Sequence, residues 1–155
     1  MTRPYVAVVG PGEADAAAER DAEIAGRVLA EHGAVVVCGG LDGAMAAACR
    51  GARGAGGLTV GLLPGADRAA ANEWVAVAIP TGLGELRNGL VVRAADALLA
   101  VGGGYGTLSE IALALKLGRP VVGVGTWDID SVVSMDDAEA AARRVMELVT
   151  GSAQS

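Results

Sequence analysis

Arg87 and Glu110 bracket an apolar run and a glycine loop, and these are residue types that bind and polarise an anionic ligand. The run 97–101, ALLAV, reads as a buried strand. Gly102, Gly103, Gly104, Tyr105 and Gly106 follow, and then Thr107 opens a helical pattern to residue 117. A strand that delivers glycines to a helix start makes an anion site. Glycine lets a ligand approach the backbone, the first N–H groups have no intrahelical partner, and the helix dipole favours negative charge. The stretch therefore reads as a phosphate cradle with the carboxylate of Glu110 beside it. Arg87, on the preceding helix, is placed to clamp phosphate or a ribose hydroxyl, or to stabilise developing charge. Two plainer readings stand next to these. Thr107 and Glu110 have the Thr-x-x-Glu spacing of a capping box, and Arg87 could pair with Glu85 on the surface.

Two more glycine loops follow apolar runs. Gly10-Pro11-Gly12 ends the run 5–9, and Gly39-Gly40-Leu41-Asp42-Gly43 ends the run 34–38, with Met45 just beyond. The first begins like a dinucleotide fingerprint but lacks its third glycine, and the second run ends in Cys38 rather than an acid. No G-K-[ST] is present, which excludes a Walker loop. Lys116 is the one lysine, and its place near a helix end suits a solvated charge better than a Schiff base. His32, beside Gly33, reads as a cation favoured by the helix end. Cys38 and Cys49 have no second pair and one His for company, so they read as buried thiols, and no metal site is expected. Trp74 and Trp127 read as core or pocket wall.

To place three glycine loops at one edge, the chain must alternate strands with helices. Strands are expected at 5–9, 34–38, 58–63, 74–79, 97–101 and 121–124, with loops at 66–73 and 126–131. Helices are expected over 15–32, up to about 53, from 80–85 to about 95, up to 117, and over about 135–149. In the first, Ala17, Ile24, Val28 and Leu29 should face inward and Glu23 should pair with Arg27. In the helix after the third glycine loop, Leu108, Ile111, Ala112 and Leu115 form one face, and Leu113 and Leu117 make it apolar almost all round. That predicts burial on two sides and a homodimer with the pocket near its interface. Continuously apolar strands alternating with helices imply an α/β, Rossmann-like, doubly wound parallel sheet sandwiched between helices. One domain is expected over 1–150, with a frayed tail at 151–155.

Composition narrows the partners. A chain of 155 residues suits one domain with a real core. Its net charge of −6 and pI near 4.7 exclude broad binding to a nucleic-acid polymer. Mean hydropathy is +0.44, from Ala and Val largely, and no uncharged run approaches the ~18 residues of a spanning helix. No membrane partner is expected, and the absence of a leader pattern in MTRPYVAVVGPGEAD predicts a cytoplasmic protein. A small phosphorylated ligand is the partner that remains.

The order of motifs also carries a resemblance. Arg87 followed by Gly103-Gly104-x-Gly106-Thr107-x-x-Glu110 resembles the signature of the Lonely guy (LOG) family and its SLOG-superfamily relatives, an Arg-Lys pair upstream of P-G-G-x-G-T-x-x-E. Gly39-Gly40-Leu41-Asp42-Gly43-Ala44-Met45 and Gly57-Leu58-Thr59-Val60-Gly61-Leu62-Leu63-Pro64 are similar to earlier segments of the same family, so the resemblance covers nearly the whole chain. It implies hydrolysis of the N-glycosidic bond of a nucleoside 5′-monophosphate of the cytokinin riboside type, releasing free base and ribose 5-phosphate. It further implies phosphate on Gly103, Gly104, Tyr105, Gly106 and Thr107, a nucleotide site that includes Gly39, Gly40, Gly43 and Met45, and a homodimer with no resident cofactor, while convergence of the three glycine loops adds Gly10 and Gly12 to that site. Arg87 and Glu110 would be the catalytic pair, the carboxylate stabilising positive charge on the ribose and helping to activate water. Three positions depart from the signature: Gly102 stands for proline, Asn88 for lysine and Ser109 for the first of two glutamates. These departures resemble a shorter bacterial branch that includes molybdenum-cofactor carrier-like proteins, in which the cradle holds a phosphorylated pterin or another nucleotide without hydrolysing it. A nucleotide-sensing module reporting through its dimer is the third reading.

Overall fold

Val, Ala and Leu fill the central strands because helices cover both faces of the sheet. The computed structural model describes residues 2–154. Its strands are β1 (Tyr5–Val9), β2 (Val35–Cys38), β3 (Thr59–Leu63), β4 (Val77–Pro80), β5 (Ala97–Val101), β6 (Val121–Val124) and β7 (Val133–Met135). They form one sheet in the order β4-β3-β2-β1-β5-β6-β7, with every pair parallel. The helices are α1 (Ala16–Glu31), α2 (Ala44–Gly54), α3 (Arg87–Ala94), α4 (Tyr105–Lys116) and α5 (Ala138–Gln154). This is the Rossmann-like, doubly wound α/β sandwich that the alternation of runs predicts.

Alternate residues of β1 serve two cores. Val6 and Val8 pack with α1, α2 and α5 on one face, while Ala7 and Val9 pack with α3 and α4 on the other. Helices α1 and α2 cross almost in backbone contact. A Cβ on Gly26 would lie 2.0 Å from the Ala48 carbonyl oxygen, and one on Gly51 would lie 2.0 Å from that of Glu23. The crossing also decides the surface ion pairs: Glu23 reaches Arg50 on α2 at 3.0 Å, leaving Arg27 to Glu31 at 3.0 Å. The expected Glu23–Arg27 pair is thus replaced. Ala17 is exposed and Ile24 half-buried, and Ala18, Ala22 and Ala25 join Val28 and Leu29 on the inward face of α1.

Several element boundaries differ from expectation for local reasons. The buried Thr59 hydroxyl donates to the Trp74 carbonyl at 2.6 Å and accepts the Ala76 N–H, so pairing of the fourth strand begins only at Val77. Gly82 and Gly84 adopt φ of +67° and +59°, which hold 81–86 out of the helix and delay α3 to Arg87. Val133-Ser134-Met135 pairs with β6 as a short edge strand, where a loop and a helix start are expected. The last helix runs to Gln154, past Gly151 where the tail was placed; Ser155 lies outside the described residues.

The sheet order sets the location of any site. The chain steps outward from β1 to β4, then returns through α3 to place β5 on the other side of β1. In such sheets, loops at this reversal part and open a crevice beyond the strand C-termini. The loops after β1 and β5 are the Gly10 and Gly102–Gly104 loops.

Candidate ligand site at the sheet reversal

A cavity of about 310 Å³ opens at that reversal, within the range of a small-molecule site. Its wall includes Gly10, Gly12, Gly39, Met45, Arg87, Gly104, Gly106, Thr107 and Glu110 from the predicted set, together with Val8, Val9, Pro11 and Asn88. Gly103, Gly40, Gly43 and the Tyr105 side chain do not line this cavity. Gly103 lines a neighbouring recess beyond Pro11, and Tyr105 is 84% exposed with its ring stacked on Trp127. Gly40 packs on Leu63, and Gly43, at φ +64°, lies against the Pro11 and Gly12 carbonyls.

The first turn of α4 borders the cavity with backbone donors that no side chain caps. Gly104 caps the helix in extended conformation without a side-chain hydrogen bond, and its carbonyl accepts from the Leu108 N–H at 2.9 Å. The N–H groups of Tyr105, Gly106 and Thr107 therefore have no partner within the helix. Trp127 fixes this turn from outside by donating its indole N–H to the Gly104 carbonyl at 3.0 Å. The Thr107–Glu110 capping box is absent, because the helix starts at Tyr105 and Thr107 already lies inside it. Instead, Thr107, Glu110, Ile111 and Ala114 form the buried stripe of α4, while Ala112 is exposed and Leu108 and Leu115 are half-buried. Two inward positions of this helix carry polar side chains, and both meet the cavity.

Glu110 is 8% exposed and makes no hydrogen bond or ion pair among the described residues. Burial pushes its carboxyl up to about 8, with the nearby Arg87 charge opposing only part of that shift. In the empty site at neutral pH it is mostly the neutral acid.

Arg87 is nearly as buried, and its donors are largely committed. Nε donates to the Leu62 carbonyl at 2.9 Å, Nη2 to the Gly39 carbonyl at 3.3 Å, and Nη1 to Asn88 Oδ1. Arg87 thus ties the ends of β2 and β3 to the start of α3. A Cβ on Gly39 would lie 2.6 Å from Arg87 Nη2 and 2.8 Å from the Met45 sulfur, so glycine there makes room for both. The Gly39–Leu41 loop is anchored in turn by Asn72, whose Nδ2 donates to the Leu41 carbonyl at 2.8 Å. Cys38 and Cys49 are buried free thiols 3.4 Å apart beneath this loop. Among the described residues no group of His, Cys, Asp and Glu is arranged to hold a metal, and no helix is long and apolar enough to cross a membrane.

Asn88 and Asn72 have structural parts in the site that their sequence positions did not announce, whereas Trp127, read as core or pocket wall, braces the Gly104 turn. Only Asn88 carried a signal, as a departure from the family pattern next to Arg87.

Known proteins share this fold. The chain superposes on the molybdenum cofactor binding protein of the phototrophic bacterium Rippkaea orientalis with a TM-score of 0.91 and 34% identity, covering 96% of this chain and 99% of that one. The molybdenum cofactor carrier protein of Chlamydomonas reinhardtii gives 0.88 and 34%, with the same coverage. An uncharacterised protein of Archaeoglobus fulgidus is 44% identical over 121 residues, 78% of this chain and 80% of its own. The SLOG cluster4 family matches residues 3–152, from before β1 into the last turns of α5. With the fold, the glycine loops and this match in agreement, the chain belongs to the SLOG cluster4 family.

Proposed function

We propose that this protein binds and carries a small phosphorylated ligand of the pterin class, as a cytoplasmic homodimer, rather than hydrolysing a nucleotide. The observation that carries the reading is the setting of Glu110, a lone carboxyl buried in the cavity wall with no hydrogen bond or ion pair among the described residues. The role implied by the resemblance is an ionised carboxylate stabilising positive charge on the ribose, and burial, which pushes this group up to about 8, disfavours that form. Arg87 supports the same reading, since three of its donors serve backbone carbonyls and Asn88 rather than a reacting group. The two similar structures are described as proteins that bind or carry molybdenum cofactor. The uncapped first turn of α4 suits the phosphate, and the remaining cavity suits one flat ring system.

Incubation with a panel of nucleoside 5′-monophosphates, N6-substituted AMP included, tests this by following free base. The expected result is no base release, together with a rise in melting temperature on adding phosphorylated ligands. Base release by the wild type that is lost in Glu110→Gln would establish the hydrolase reading instead.

A further inference from the structure

We infer that Asn88 reads the ligand's phosphate directly, its side-chain NH2 completing the donor set on the first turn of α4. This rests on the phosphorylated-ligand reading above. Arg87 carries only donors, so the Asn88 atom that meets Arg87 Nη1 has to be the carbonyl oxygen. That contact fixes the amide's orientation and turns Nδ2 the other way. Nδ2 lies 3.7 Å from where a Cβ on Gly106 would sit, and Asn88 lines the cavity. No protein acceptor takes up Nδ2 among the described residues. It therefore stands beside Gly106 in the first turn of α4, whose leading N–H groups have no partner within the helix, and the glycine leaves that space open. A second feature of the same cavity marks it as a ligand site rather than a bare helix end. Glu110 on its wall is more than nine-tenths buried and makes no hydrogen bond or ion pair among the described residues.

The chemistry recognised is a phosphate monoester held by amide donors, three from the backbone and one from Asn88. Arg87 contributes by orienting Asn88 rather than by forming an ion pair with the phosphate. Position 88, where the resembled LOG signature has lysine, thus offers a neutral donor in fixed orientation.

Asn88→Asp separates the two ends of the side chain. The carboxylate still accepts from Arg87 but offers the ligand no donor. Asn88→Ala removes both ends. Melting temperature and affinity are measured with AMP, adenosine and inorganic phosphate as probes. The wild type is expected to be stabilised by AMP and by phosphate. Both variants are expected to bind AMP ~10-fold or more weakly, as for the loss of a hydrogen bond to a charged group, with adenosine binding unchanged. Asn88→Asp should keep the wild-type melting temperature without ligand. In the wild type, the side-chain amide NMR signals missing from Asn88→Asp should shift on adding phosphate. An unmoved amide signal, or wild-type AMP affinity in Asn88→Asp, would overturn the inference and leave Asn88 as a positioning residue for Arg87. A wild type that responds to no phosphate probe would overturn the phosphorylated-ligand reading itself, and this inference with it.

Discussion

Glu110 links binding to pH and to stability. Its folded-state value of about 8 lies above the ordinary 4.5, so between those values the folded chain holds a proton that the unfolded chain has released. Stability contributed by this group is fully present below about pH 4.5 and is lost as pH rises toward 8, at up to about 1.4 kcal/mol per pH unit. Thermal melts of the wild type should therefore fall across this window relative to Glu110→Gln, which has no proton to lose. The variant should equal or exceed the wild type at pH 8, and parallel curves would refute the assignment. That Arg87 and Glu110 share one cavity was legible from the family resemblance, since spacing alone left Arg87 open between the site and a surface pair with Glu85. Their actual duties were not, because the committed donors of Arg87 depend on carbonyls from Leu62 and Gly39, which only packing brings near.

Elements place these residues through a few backbone positions. Gly102 sits at the end of β5 with φ +65°, a conformation closed to proline, whose ring fixes φ near −65°. Proline, which stands here in the resembled LOG signature, therefore does not fit the path by which this loop leaves the strand. Gly102→Pro should lower the melting temperature by several degrees and abolish phosphate-dependent stabilisation, as a thermal shift series would show. Unchanged melting and binding would mean that the loop tolerates both routes. Strands β1, β5 and β6 could be read residue for residue because each is an uninterrupted apolar run. Strand β7 could not, being three residues with an exposed serine at the centre. The start of α4 was misplaced for a related reason. The pattern Thr-x-x-Glu looks like a cap, but Gly104 caps the helix with backbone alone, and no side-chain signal marks that.

At the scale of the whole molecule, sheet order turns three separated glycine loops into one site. Loops after β1, β2 and β5 converge because β5 returns to lie beside β1, and α4 enters the same crevice. The proposed dimer belongs to this scale as well. Leu113 and Leu117 on and after α4 remain half-buried, and Leu86, at 78% exposure, and Leu90 stand out at the start and on the surface of neighbouring α3. Closing this surface against a second copy would bury it beside the cavity. Light scattering at micromolar concentration should return twice the chain mass of 15.3 kDa, and a monomer would contradict the dimer without touching the site. A phosphate site that binds without cleaving is best examined by calorimetric titration of the wild type with AMP, followed by chromatography of the same sample for free adenine. Saturable binding with intact AMP recovered in full is expected. Adenine and ribose 5-phosphate in the recovered sample would show cleavage and overturn the carrier reading.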